Sequence, residues 1–210
     1  MKKLIVSILM VCAVITAKAQ DIRVGMQMSP TISYLSSDGD YMDKVNRIKF
    51  SWGFVTVYHQ EGRNFSWMSG LDITFRGANL EYIDAEDNII EAKFNTQHLE
   101  IPLSIKMHTR EIGYFSYWLK AGVAPSIELK EKVEFTKNGL DYDLEKDGHI
   151  ENMGMNLILG VGTQYEISEG TDLFFGLAYS NGMFDSFKDL EGYSDAGYFN
   201  HFALQVGVLF

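Results

Sequence analysis

The sequence predicts an all-β protein, an eight-stranded, antiparallel, up-and-down transmembrane β-barrel. The first of three observations behind this is Gln97–His108, QHLEIPLSIKMH, which alternates without a break. Leu99, Ile101, Leu103, Ile105 and Met107 point one way, and His98, Glu100, Pro102, Ser104, Lys106 and His108 the other. Period two is the signature of a strand. A strand in a soluble protein is commonly about 5–6 residues, whereas one tilted across a bilayer needs about 9–11. One apolar face and one polar face over that length suit lipid outside and a polar lumen inside. The second observation is that short and long connections alternate along the chain. The third is that aromatic residues gather at one depth.

Residues 1–19 read as an export signal. Lys2 and Lys3 precede an apolar run, Leu4–Ile15, and Ala17-Lys18-Ala19 is a small-x-small cleavage site. The expected mature domain is 20–210. The run is short for a membrane anchor, which is the alternative reading. Cys12 is the only cysteine, so the mature chain is expected to hold no disulfide, zinc–thiolate site or cysteine nucleophile. No later stretch of about 18 apolar residues predicts a spanning helix. Mean hydropathy is −0.07, an average to which a barrel is blind because every second residue is polar. With 19 Gly, 14 Phe and 11 Tyr against 3 Pro, the composition is β-rich.

Eight strands follow in order: Ile22–Tyr34, Arg47–His59, Phe65–Gly77, Lys93–His108, Gly113–Leu129, Ile150–Glu166, Thr171–Phe184 and Tyr198–Phe210. Each shows an apolar alternate face, such as Ile48, Phe50, Trp52, Phe54 and Tyr58 in the second. Gln60–Asn64, Thr109–Ile112 and Ser168–Gly170 are tight turns. Ser36–Asn46, Ala78–Ala92, Glu131–His149 and Asp185–Gly197 are long loops. Outer-membrane barrels have short periplasmic turns and long external loops, which would leave both termini in the periplasm. Tyr58, Phe65, Trp67, Phe115, Tyr117, Tyr165 and Phe210 then share the periplasmic end of the apolar face, as an interfacial girdle does.

Charge follows the same division. The chain has 18 basic and 28 acidic residues. Without Lys2, Lys3 and Lys18 the balance is −13, and the four long loops, with eighteen acids and five bases, carry all of it. No basic patch offers to neutralise phosphates, so nucleic acid is not an expected partner. Solvated, self-repelling loops are the plain reading; divalent-cation contact with surface lipopolysaccharide is the sharper one. Asp141, Asp143, Glu145 and Asp147 alternate before Gly148, but the calcium-loop register of glycine and final glutamate is missing.

The inward faces collect Arg23, Lys49, Asp72, Arg76, Glu100, Lys106, Lys120, Glu166 and Asp172, five bases and four acids. Gly25, Gly53, Gly70, Gly122, Gly154, Gly160, Gly162, Gly176 and Gly207 share those faces. An eight-stranded barrel is just wide enough for side chains to fill. The expectation is a closed lumen plugged by paired charges, with glycines making room for long Arg and Lys. Pro102 cannot donate to a ladder, so a bulge or missing bond is expected there. A soluble lipocalin-like carrier would reverse the pattern, with an apolar interior and mixed exterior.

His98-Leu99-Glu100-Ile101-Pro102-Leu103, with Lys106 four residues beyond Pro102, resembles the signature of the PorT-like outer-membrane β-barrel family of Bacteroidetes. The start MKK…AKAQ and the phenylalanine-terminated last strand resemble it too. The resemblance implies an outer-membrane barrel, some of whose relatives serve protein secretion through the type IX apparatus. Leu99, Glu100, Ile101, Pro102, Leu103 and Lys106 carry over as structural residues only. Phe210 resembles the C-terminal signal read by the barrel-assembly machinery.

Nothing in the sequence assembles an active site. Some small barrels modify lipids with His, Ser and a carboxylate near the outer rim. His98 and His201 face inward there, and Ser36, Ser37, Ser180 and Ser194 lie on that side. A serine oxygen within hydrogen-bond reach of either histidine would favour that reading. No phosphate-binding glycine loop, paired-carboxylate signature or metal spacing occurs. The expectation is therefore no catalytic residue, no metal and no cofactor. Expected partners are outer-membrane lipid, the barrel-assembly machinery and an envelope protein.

Overall fold

A computed structural model describes residues 22–37, 46–60, 62–83, 88–142, 150–186 and 197–210. The expected export signal at residues 1–19, Ser194, His149 and the Asp143–Gly148 run lie outside them. The strands are β1 (Ile22–Ser37), β2 (Arg47–His59), β3 (Phe65–Ile83), β4 (Ile89–Glu100), β5 (Leu103–His108), β6 (Phe115–Lys137), β7 (Leu140–Tyr142), β8 (Met153–Ser168), β9 (Thr171–Gly182) and β10 (Gly197–Leu209). Pairing is antiparallel throughout and closes on itself: β1–β2–β3–β4/β5–β6–β8–β9–β10–β1. Phe210 and Val24 exchange both backbone bonds across the closing seam, at 2.7 and 3.2 Å.

β4 and β5 are one stave of the barrel. Glu100 faces Asp72 and Ser126, and Leu103 faces Ser69 and Val123, so the register is the same on both sides of the break. Pro102 lacks an N–H and interrupts the ladder locally. The Ile101 N–H is satisfied by the Pro125 carbonyl at 2.9 Å. Counted this way, the ring has eight staves, with β7 as a short hairpin partner of β6.

Two expectations about length change. β3 and β6 run to 19 and 23 residues, well beyond a bilayer crossing, and β4 starts at Ile89. Much of the expected loops 78–92 and 131–149 is therefore strand. The physical reason is pairing: β3, β4 and β6 stay paired up to Ile83–Ile89 and Ile90–Lys137, through one bulge in β6 opposite Gln97/His98, so the hydrogen bonds continue after the apolar pattern stops.

The exterior is an apolar belt. Met26, Trp52, Leu71, Leu103, Leu119, Val161, Leu177 and Leu204 are all exposed, which water would penalise and lipid favours. At the short-turn end Tyr58 pairs with Trp67 and Phe115 with Tyr165, the latter rings 4.9 Å apart. Toward the long-loop end Tyr34, Tyr179 and Phe202 stack, with centroids 4.8 and 6.2 Å apart and the tyrosine hydroxyls 3.4 Å apart. This second aromatic cluster sits among aliphatic neighbours, where no run of rings announces it.

Candidate functional site

The lumen is layered. Nearest the short-turn end is a polar mouth of about 400 Å³, lined by Arg23, His59, Lys106, His108, Gln164 and Asp172. Above it Val55, Val57, Met68, Trp118, Phe174 and Leu209 form a buried apolar floor. A polar chamber follows, with Gln27, Asp72, Glu100, Lys120, His201 and Gln205 around a cavity of about 40 Å³. Toward the long loops Leu35, Phe94, Val133, Phe135, Ile150 and Phe199 make a second buried apolar layer.

This corrects the expectation of a lumen filled by charges. Strand alternation told which residues point inward, but apolar side chains point inward too where the barrel closes. The glycines also serve another purpose. A Cβ on Gly162 or Gly176 would collide with the Trp118 ring, and one on Gly207 with the Phe174 ring. They admit aromatic plugs, and only Gly160 meets a lumen cation, Lys120 Cε at 2.9 Å.

Of the nine predicted lumen charges, four pair. Arg23 donates to Asp172 at the mouth. Arg76 donates to Glu100 at 2.5 Å, both almost fully buried. Three are held by neutral amides. Asp72 accepts two bonds from the Gln27 amide at 2.8 and 2.9 Å. Lys106 donates to Gln164 Oε1 at 2.5 Å, and the Gln164 amide donates on to Asp172 at 2.6 Å. An amide satisfies an ion without desolvating a second one, which composition alone does not reveal. Lys49 is the third. Lys120 has no ion pair among the described residues and lies 5.7 Å from the Trp118 ring, with Lys106 5.6 Å away on the same ring. Glu166 stands at the mouth, half-buried, its N–H bonded to the Tyr114 carbonyl.

Lys49 does not enter the lumen. Its Nζ donates to Asn95 Oδ1 at 2.7 Å, and a Cβ on Gly77 would meet its Cε at 2.5 Å. Asn95 and Gly77 lie on the outward parity of β4 and β3. The cause is a bulge: the β2–β3 ladder runs to Ser51–Thr74 and resumes at Asn46–Ala78 with one extra residue on β2. That slip puts the faces of the two strands out of phase and lays Lys49 and Arg47 over the outside of β3.

The histidines are placed as packed polar groups. His98 Nε2 is bonded to Thr96 Oγ1 at 2.9 Å, and no serine oxygen of the described residues bonds His98 or His201. A serine–histidine contact occurs elsewhere, Ser66 Oγ to His59 Nδ1 at 2.8 Å, with Ser66 fully buried. Buried polar atoms Gln27 Oε1, Ser180 Oγ, His201 Nδ1 and Gln205 Oε1 have no partner among the described residues and belong to side chains that line the chamber, whose volume has room for a few waters at about 10–15 Å³ each.

The chain is similar in fold to Neisserial surface protein A, with 13% identity over 90% of this chain and 96% of that one, at a TM-score of 0.52. Weaker likenesses include the outer membrane protein OprG from Pseudomonas aeruginosa (13% identity, 90% and 94% covered, TM-score 0.46) and the outer membrane enzyme PagL (8%, 86% and 97%, TM-score 0.31). Comparison with curated proteins found no match. Residues 18–188 match the model of the outer membrane protein beta-barrel domain. With the closed antiparallel ring and apolar belt, that match assigns the chain to the outer membrane β-barrel domain family and places it in the outer membrane.

Proposed function

We propose that this barrel is a non-conducting scaffold that presents acidic external loops to an envelope partner and catalyses no reaction. The observation that carries this reading is the pair of apolar layers around the small polar chamber. Water and ions crossing the lumen would have to pass both. A soluble carrier does not suit a chain whose exterior is its apolar face. The lipid-modifying alternative would need a nucleophile at the rim in contact with a base; among the described residues the serine bonded to a histidine, Ser66, is buried at the opposite end.

The finer family reading rests on Leu99-Glu100-Ile101-Pro102-Leu103 with Lys106, the PorT-like motif of Bacteroidetes. It supports an accessory role in an envelope or secretion complex. In this reading Glu100 and Lys106 hold the stave in place from inside, Leu99, Ile101 and Leu103 face lipid, and Phe210 is read by the assembly machinery. Planar-bilayer recording on the purified full-length barrel tests the closure. No steady conductance is expected, and a large, stable single-channel current would overturn it. Cross-linking in the native membrane tests the partner: recovery of the barrel with lipid alone would leave the scaffold role without support.

A further inference from the structure

Above the apolar belt the outward faces of β3, β4 and β6 turn polar. In register, Ile73, Leu99 and Ile127 are followed by Phe75, Gln97 and Lys130, then Gly77, Asn95 and Lys132, then Asn79, Lys93 and Glu134, then Glu81, Glu91 and Thr136. The β6 residues keep step through a bulge opposite Gln97/His98. This is the height at which hydrocarbon gives way to headgroups.

The bulge in β2 adds two more cations to this surface. Arg47 Nε donates to Asn79 Oδ1 at 2.8 Å and its Nη1 to Asn95 Oδ1 at 3.4 Å; Lys49 bonds the same Asn95 oxygen. Five cations, Arg47, Lys49, Lys93, Lys130 and Lys132, therefore share one face with Glu81, Glu91 and Glu134. Lys132 donates to Glu134 at 2.7 Å, and Lys93 lies 3.3 Å from Glu91. Glu134 is held below the ordinary carboxylate range, first by the Lys132 hydrogen bond and further by the fields of Lys93 and Arg47, so these charges stand close together. Arg47, Lys49 and Lys130 have no carboxylate partner among the described residues. In a strongly acidic chain, a cationic face at headgroup height, fixed by neutral asparagines that leave its charge uncancelled, is suited to an anion delivered by the bilayer.

We propose that Arg47, Lys49 and Lys130 form a binding site for the phosphate of a membrane lipid on the outer wall of the barrel, where the β2 bulge overlies β3 and β4. Asn79 and Asn95 orient the guanidinium and ammonium groups, and the belt residues Phe75, Leu99 and Ile127 below them receive the acyl chains. The lipid recognised is one with an exposed phosphate monoester, which offers more charge than a zwitterionic headgroup. The site is independent of whether the lumen conducts.

The test uses the full-length barrel purified in zwitterionic detergent and mixed with a phosphorylated lipid A or with phosphatidylcholine. Bound lipid is counted by native mass spectrometry. Parent protein is expected to retain lipid A and not phosphatidylcholine. Each cation near an anionic surface is worth about a fivefold change in affinity, so Arg47→Ala, Lys49→Ala and Lys130→Ala together should weaken retention roughly a hundredfold. Arg63→Ala with Arg110→Ala, at the opposite end, is the charge control and should leave retention unchanged. Heat-modifiable migration on a gel confirms that each variant is folded, and Lys49→Arg should retain lipid as the parent does where Lys49→Gln weakens retention about fivefold. Unchanged retention in the triple variant, equal loss in the control, or displacement of lipid by millimolar inorganic phosphate would each overturn the proposal, the last by showing a site for free phosphate.

Discussion

Replacing Arg76 by alanine leaves the Glu100 carboxyl inside the barrel without its cation. Arg76 and Glu100 are 4% and 5% exposed and bond at 2.5 Å. Glu100 lies directly opposite the amide-held Asp72, and Arg76, opposite Thr96 and four residues further along β3, reaches back along the lumen to it. Breaking a buried pair costs about 3–5 kcal/mol, because the remaining charge loses its partner without regaining water. Lys132–Glu134 is the internal comparison, since its side chains are 71% and 52% exposed and water screens most of the attraction in a pair of that kind. Reversible urea titration of the refolded barrel in micelles, followed by tryptophan fluorescence, reads both. Arg76→Ala and Glu100→Ala should each lower stability by about 3–5 kcal/mol, and Lys132→Ala should lower it far less. The double variant Arg76→Met with Glu100→Gln should recover most of the loss, since no bare charge remains. If Arg76→Ala costs no more than Lys132→Ala, or if the double variant loses the sum of the singles, the buried charge is not what makes the position sensitive.

Three further outcomes follow from the architecture. Trp118→Ala removes the ring seated on Gly162 and Gly176; it should open the floor and raise the labelling of Ser180→Cys by a small thiol reagent several-fold, and unchanged labelling would show that the floor does not seal the chamber. Whole-cell labelling with an impermeant thiol reagent should mark Leu140→Cys, 75% exposed at the long-loop end, and spare Glu111→Cys in a short turn. Leu140 and Glu111 are chosen over the neighbouring turn glycines Gly139 and Gly113, whose φ values of 81 and 70° would strain a cysteine; the reverse labelling would invert the topology. Deleting Phe210 removes a residue bonded to Val24 across the closing seam and should lower membrane insertion far more than deleting residues 143–149; equal insertion would show that the terminal aromatic is not read during assembly.

The strands that cross the bilayer were legible because their two faces meet different solvents. Period-two alternation places β2 at Arg47–His59 from the sequence alone, and the aromatic residues at the short-turn end mark where lipid meets water. The same alternation told that Arg76, Glu100, Lys106, Lys120 and Asp172 point inward. It could not tell which charge meets which, because partners lie on strands distant in sequence, as Arg23 and Asp172 do. Nor could it distinguish an ion pair from an amide cradle such as Gln27 with Asp72. Trp118 and Phe174 occupy inward positions like any other; only closure of the ring brings them over the glycines of β8, β9 and β10. Lys49 was misplaced for a related reason. Alternation assumes an unbroken ladder, and one extra residue in β2 puts its upper end out of phase with β3. The chain by itself determined that a barrel forms and which faces meet lipid, since burial of alternate residues is a local pattern. The tertiary structure decided how the lumen is sealed and where the cations gather, since those depend on register between staves.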